Sequence, residues 1–192
     1  LGAAVSSNQR INMGAADTLN AAGYTGTLSA RITAANLNGD TISGGTGADS
    51  LVITFANNAV NNAGMAAVTN IETIATASNQ IGTLTLNDAN NVSSVVTVNA
   101  AANTAAAFTL DASNENDGTI VYVGGAGIDT VTGTTGADTI GGGAGADVIT
   151  GGNGSDTITG GAAADSFVYT AAAQSTGTAI DSITDFVSGL DS

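Results

Sequence analysis

Hydrophobic residues occur along the chain in short runs separated by polar, turn-forming segments. The β-rich runs that precede or flank the glycine-rich parts are Leu51–Phe55, Ile71–Ile74, Thr83–Leu86, Val95–Val98, Phe108–Leu110 and Ile120–Val123. From the third run onward they recur about every twelve residues, which predicts strands stacked as a parallel solenoid. An antiparallel sandwich has a similar strand spacing and is the alternative. Helix is expected only around Ala59–Val68 or Ala171–Gln174.

A nine-residue repeat occupies residues 124–168, which read GGAGIDTVT, GTTGADTIG, GGAGADVIT, GGNGSDTIT and GGAAADSFV. The eighth position is apolar in every copy. The sixth position is always aspartate, as Asp129, Asp138, Asp147, Asp156 and Asp165. The second copy has Thr134 and the fifth has Ala163 where glycine is expected. A fixed period of this kind indicates a repeat architecture in which each unit stacks on its neighbours.

The glycines of the repeat indicate its chemistry. They allow positive φ and close backbone approach, so that carbonyl oxygens can turn inward beside the aspartate. An all-oxygen cluster of flexible geometry suits calcium better than magnesium. We therefore expect the five aspartates to bind Ca²⁺ together with backbone carbonyl groups. The expected carbonyl ligands belong to Gly124, Ala126, Gly133, Thr135, Gly142, Gly143, Ala144, Gly145, Gly151, Gly152, Asn153, Gly154, Gly160, Gly161 and Ala162.

Two nonapeptides should form one coil, with a turn on each side, so that residues eighteen apart lie above each other. This spacing pairs Asp129 with Asp147, Asp138 with Asp156 and Asp147 with Asp165. Three shared calcium sites are expected, and the third is weakened because Ala163 replaces a glycine. Stacked carboxylates would repel without cations, so folding should depend on calcium.

A separate copy, GGTGADSLV at 44–52, follows the degenerate phrase NGDTIS at 38–43. Its Asp49, and Asp40 in the phrase before it, are possible metal ligands. Asp49 has no aspartate eighteen residues away, so a plain turn aspartate is an equal alternative. The 44–52 turn could instead stack on the 124–129 turn, with residues 53–123 as an excursion.

Composition narrows the function further. Sixteen acidic residues against two arginines give a net charge of −14, so nucleic acid and anionic membranes are poor partners. The absence of His, Cys and Lys argues against an enzyme, because serine or threonine nucleophiles would lack their usual bases. No apolar stretch approaches the ~20 residues of a membrane span. The start at Leu1 suggests a fragment or a processed end.

The nonapeptides at 124–168 resemble the RTX repeat, which forms a calcium-binding β-roll. The tail carries a D-x-I-x-D-F phrase (Asp181, Ile183, Asp185, Phe186) that is similar to the region following such repeats in type I-secreted proteins. The phrase around Asn70, Ile71 and Glu72 resembles a segment of RTX-bearing bacterial surface-layer proteins, although the favoured interpretation of Glu72 is a solvated strand residue.

This resemblance implies a secreted protein at the bacterial cell surface that folds on meeting extracellular calcium and assembles into a layer or filament. The partners it implies are further copies of the chain and a cell-surface polysaccharide. The alternative is a non-catalytic RTX segment of a type I-secreted enzyme, toxin or adhesin. The chain stops at Asp191 and Ser192, where related tails continue, so an export signal is expected to be missing.

The expected fold is therefore all-β, a parallel β-roll with calcium-binding turns. It divides into a β-rich, solenoid-like region at 1–123, the β-roll at 124–168, and a carboxyl-terminal tail at 169–192 that covers the open end of the roll.

Overall fold

The computed structural model describes residues 9–14, 16–37, 39–55, 58–60, 65, 67–77, 81–87, 95–116 and 118–192. The expectation about Leu1 and the first residue of the phrase at 38–43 lie outside these ranges. Among the described residues, no helix is long and apolar enough to cross a membrane.

Nine parallel strands form the largest sheet. In spatial order they are β1 (Gln9–Asn12), β3 (Leu28–Thr33), β5 (Ser50–Thr54), β8 (Thr73–Thr76), β10 (Val95–Asn99), β12 (Thr119–Val123), β14 (Thr139–Ala144), β16 (Thr157–Ala162) and β18 (Ser182–Ile183). Because spatial order follows chain order, each strand is one coil beyond its neighbour. The antiparallel alternative is therefore wrong, and the parallel solenoid is confirmed.

The intervening strands form two further parallel sheets. One contains β17 (Ser166–Phe167), β15 (Val148–Thr150), β13 (Thr130–Thr132), β11 (Phe108–Asn114), β9 (Gly82–Asn87) and β6 (Asn58–Val60). The other contains β2 (Thr18–Asn20), β4 (Thr41–Ser43) and β7 (Val68–Thr69). Side chains from all three sheets meet in a single hydrophobic core.

The length of a coil changes along the solenoid. Thr97 pairs with Thr73 and Val121 with Thr97, so these coils take twenty-four residues each. Within the repeats, Thr139 pairs with Val121 and Thr157 with Thr139, which is a step of eighteen. The predicted eighteen-residue stacking of the nonapeptides is thus the observed register.

Helical structure is almost absent from the described residues. A single turn, α1 (Ala34–Leu37), lies in the amino-terminal coils, and a 3₁₀ turn spans Ala172–Ser175. The helix expected around 59–68 is wrong at its ends, because Asn58–Val60 and Val68–Thr69 are strands, whereas Met65 in its interior is helical. Residues 61–64 and 66 of that expectation lie outside the description.

The turn at 44–49 does not stack on the turn at 124–129. Thr46 N–H instead donates to the Tyr24 carbonyl (2.9 Å), whereas Ala126 N–H donates to the Asn103 carbonyl (2.7 Å). The expected excursion is therefore wrong, because the chain between the two copies builds consecutive coils that place them several turns apart.

The tail lies against the last coil of repeats. Ile183 pairs with Ile158 in the largest sheet, and the Asp185 carboxylate accepts the N–H groups of Gly160 and Gly161 (2.9 and 2.8 Å). The ring of Phe186 lies 6.1 Å from that of Phe167. This covers strand edges that would otherwise expose unpaired backbone groups.

Candidate calcium sites

Each of the five repeat aspartates immediately precedes a strand. The strand register stacks these aspartates above one another in two rows, and each row is called a file. The N–H of Asp129 donates to Asp147 Oδ1 (2.7 Å), and that of Asp147 donates to Asp165 Oδ1 (2.9 Å). In the other file, Asp138 N–H donates to Asp156 Oδ1 (2.9 Å). The structure thus brings together all three pairs that the eighteen-residue spacing predicts.

All five aspartate side chains are buried, although ionised carboxylates rarely are unless paired. Burial raises the pKa of each of them. It raises the pKa of Asp147 and Asp156 to about 6, with the neighbouring carboxylates of each file adding to the shift. The turns therefore concentrate negative charge that a cation would stabilise.

The glycines shape a hollow around these carboxylates. Gly143 and Gly152, at the second position of their repeats, have φ of +109° and +107°. A Cβ atom on Gly142 or Gly151 would collide with the Oδ2 atom of the aspartate in the same turn. Only glycine at these positions leaves that space open, which explains their identity in the repeat.

The carboxylates differ in how many protein donors they accept. Asp129 accepts Phe108 N–H (3.0 Å), Gly125 N–H (3.2 Å) and the Tyr122 hydroxyl (2.9 Å). Both Asp147 Oδ2 and Asp156 Oδ2 are buried with no hydrogen-bond partner. A buried carboxylate oxygen without a donor is costly, and binding a cation there removes the cost.

Asp138, like Asp129, accepts hydrogen bonds from several protein donors. It accepts the N–H of Ile120 (2.8 Å) and both the N–H (2.6 Å) and the hydroxyl of Thr134. Thr134 is the residue that replaces glycine in the second repeat, and the Gly118 carbonyl, 3.0 Å from its hydroxyl oxygen, is the alternative acceptor for the single hydroxyl proton. The deviation from the repeat therefore supplies an extra donor to the aspartate of the same turn.

The fifth turn carries the other deviation. Ala163 has φ of +89°, a left-handed conformation that is strained for any residue except glycine. This is a physical reason for a weaker site at Asp165.

The amino-terminal aspartates also lie in stacked turns. Asp49 accepts Leu28 N–H (2.8 Å) and Gly45 N–H (2.5 Å), and its own N–H donates to Glu72 Oε2 (2.7 Å). The exposed Glu72 therefore takes the place of the next aspartate, twenty-three residues along the chain. Glu72 is not predicted as this partner from the sequence, because the repeat period places the next ligand eighteen residues away.

Asp40 is buried in an equivalent position. Asp17 N–H donates to Asp40 Oδ1 (2.8 Å), while Asp40 Oδ2 is buried without a hydrogen-bond partner. The file that contains Asp40 therefore begins at Asp17, which the sequence did not single out.

Among the described residues, no three side chains of the types His, Cys, Asp and Glu are close enough to bind a metal ion together. A cation between the turns would thus be held by two carboxylates and by backbone carbonyl groups. That donor set suits Ca²⁺, which takes six to eight oxygen ligands in flexible geometry. The residues present fit calcium.

The parallel coils and their glycine–aspartate turns define a calcium-binding β-roll. The family model of the RTX calcium-binding nonapeptide repeat matches four copies, at residues 35–52, 123–158 and 141–169. The chain therefore contains RTX calcium-binding nonapeptide repeats, and its cofactor is calcium. RTX repeats occur in type I-secreted extracellular proteins, where the roll is a structural and usually non-catalytic calcium-binding segment. No curated protein and no solved structure matches the chain significantly.

Proposed function

We propose that this chain is an extracellular structural protein, or a segment of one, that folds with calcium and assembles with copies of itself into a surface layer or filament on a bacterial cell. One observation carries the proposal: the nine-stranded sheet continues from β1 through the repeats to β18. The region before the repeats thus belongs to the same scaffold as the roll.

The calcium ligands in this proposal are the stacked aspartates and the inward carbonyl groups of the turns. Asp147 and Asp156 contribute most, because Asp129 and Asp138 already accept several protein donors and the turn of Asp165 is strained at Ala163. Calcium neutralises the carboxylates of each file and allows the coils to stack. Weak extracellular modules of this kind bind calcium with Kd of roughly 10⁻⁴–10⁻³ M, so the turns fill outside the cell and not in the cytosol.

Self-association is supported by exposed apolar side chains in the tail. Ile180, Phe186, Val187 and Leu190 are each at least half exposed. Clusters of exposed apolar residues are a common property of protein–protein contact surfaces. A cell-surface polysaccharide is a second partner in the proposal, as the resemblance to surface-layer proteins implies.

The test is a calcium titration of the purified chain followed by circular dichroism, sedimentation and electron microscopy. We expect β-structure and polymers to appear at millimolar calcium and to disappear when a chelator is added, with magnesium as the control cation. Calcium-dependent folding to a monodisperse monomer would reject assembly. It would instead favour a non-catalytic RTX segment of a secreted enzyme, toxin or adhesin, which the same repeats accompany.

A further inference from the structure

Asp181 lies outside the nonapeptides, in the tail that follows them. We propose that Asp181 is a calcium ligand that completes, together with Asp156, a site between the last repeat turn of that file and the tail. The proposal rests on the calcium binding of the proposed function and does not depend on assembly.

The position of Asp181 is set by the sheet. Strand β18 continues the largest sheet beyond β16, and Ser182 pairs with Thr157 as Thr157 pairs with Thr139. Asp181 therefore lies over Asp156 as Asp156 lies over Asp138. Asp156 N–H donates to Asp181 Oδ1 (3.0 Å), the same contact that joins the repeat aspartates within each file.

Two buried oxygen atoms between these residues have no donor. Asp156 is 1% exposed, and its Oδ2 atom lies in the hollow of the 151–156 turn without a hydrogen-bond partner. Asp181 Oδ2 is also buried without a partner. Two such carboxylate oxygens in adjacent coils would repel each other unless a cation lay between them.

The tail also brings backbone oxygens to this edge. The Ser155 hydroxyl donates to the Thr178 carbonyl (3.2 Å), so the segment before Asp181 lies against the repeat turn. Asp181 N–H donates to Ser175 Oγ (3.1 Å), which holds the tail turn in place. Carbonyl and carboxylate oxygens from two stacked turns are the donors that calcium prefers.

The carboxylate oxygens of the other two tail aspartates already accept protein hydrogen bonds. Both oxygens of Asp185 accept glycine N–H groups of the last coil, and the two oxygens of Asp191 accept Asp165 N–H (3.0 Å) and Val187 N–H (2.8 Å). Asp181 alone among the three tail aspartates retains a buried oxygen without a partner. The site couples docking of the tail to calcium, so the end of the roll closes only when the metal binds.

The primary test uses the full chain and the variant Asp181→Asn, in which the amide oxygen still accepts the Asp156 N–H. Native mass spectrometry in calcium should show one ion fewer than in the unchanged chain. Asp111→Asn is the matched control, because it removes one half-buried charge on β11, where Asp111 Oδ1 accepts the Ser113 N–H and hydroxyl outside the file of Asp138, Asp156 and Asp181. An unchanged ion count in Asp181→Asn would overturn the proposal.

A second measurement does not require that variant to fold. Tyr169 lies beside Asp181, and burial together with this carboxylate raises its pKa to about 12. Terbium bound at the site should therefore emit when Tyr169 is excited, and calcium should displace it. The signal should fall in Tyr169→Phe. Equal emission from both chains would show that no ion binds near Asp181, whether or not the chain assembles.

Discussion

The coils before the repeats bury more large apolar side chains than the coils of the repeats do. The coil from Thr97 to Ile120 buries four large apolar side chains, those of Val98, Phe108, Leu110 and Ile120. The coil from Thr139 to Asp156 buries only two, Ile140 and Ile149, and it also buries two aspartates. Each large apolar side chain contributes about 1.5–3 kcal/mol. The shorter coil therefore has less hydrophobic stabilisation and a greater electrostatic cost.

A transitional coil joins the two regions. Tyr122 lies in the core, with its ring stacked 6.4 Å from that of Phe108, and its hydroxyl donates to the first repeat aspartate, Asp129. Thr134 supplies donors to Asp138 in the next turn. Protein hydrogen bonds thus satisfy carboxylates here that a cation would satisfy one coil later. The amino-terminal solenoid can present a formed edge on which the calcium-dependent coils stack.

The largest expected effect follows from removing calcium. Chelation should speed amide hydrogen exchange in 139–168 by about a hundredfold or more, because one site at 100 times its Kd stabilises by about 2.7 kcal/mol. Protection in 95–123 should change little, since that coil depends on the core. Hydrogen exchange followed by mass spectrometry measures both regions in one sample. Equal loss of protection in both would contradict the comparison.

A smaller effect distinguishes Asp147, which has a buried oxygen without a donor, from Asp129, which accepts several protein donors. Asp147→Asn should lower the free energy of unfolding by about 3 kcal/mol in saturating calcium and much less in chelator, because it removes a metal ligand. Asp129→Asn should lower it by about 1–3 kcal/mol in both conditions, since the lost interactions are hydrogen bonds within the protein.

Chemical denaturation of each variant with and without calcium provides the comparison between these two substitutions. The control is Asp111→Asn, a half-buried substitution on β11 that retains the oxygen accepting from Ser113 and should change little in either condition. If Asp129→Asn were sensitive to calcium and Asp147→Asn were not, the assignment of the two turns would be reversed.

The regular part of the molecule could be predicted from sequence because its geometry is local. A nonapeptide fixes one turn and one short strand, so the eighteen-residue stacking of Asp129 on Asp147 follows from the period alone. The same holds for the parallel fold and for calcium as the ion. The boundaries at 123 and 168 and the individual metal ligands stay predictions.

The other contacts depend on the lengths of individual coils, which the nine-residue period does not give. Glu72 follows Asp49 by twenty-three residues and Asp181 follows Asp156 by twenty-five, because the intervening loops differ in length. The hydrogen bond from Tyr122 to Asp129 joins a strand of one sheet to a turn that precedes a strand of another, and only the folded core brings them together. For the same reason the position of the 44–52 turn was predicted wrongly.

The smallest expected effect concerns pH, and it has opposite signs with and without calcium. The pKa of Asp147 and Asp156 is raised to about 6 in the folded chain, so without metal the folded state binds protons more tightly than the unfolded state. The stability that this tighter proton binding contributes is complete at pH values below the ordinary aspartate pKa. It is lost as the pH rises through about 6. In chelator, Tm should therefore be roughly 5 °C higher near pH 5 than near pH 7.5, which corresponds to about 2 kcal/mol.

In millimolar calcium the order should reverse, because protons compete with the metal for the same carboxylates. Thermal melts followed by circular dichroism across this pH range give both curves. The double variant Asp147→Asn, Asp156→Asn should flatten them, since amides do not titrate. If stability in chelator rose with pH in the unchanged chain, the buried carboxylates would not be the groups that make the repeats depend on calcium. The contrast with the amino-terminal coils would then need another cause.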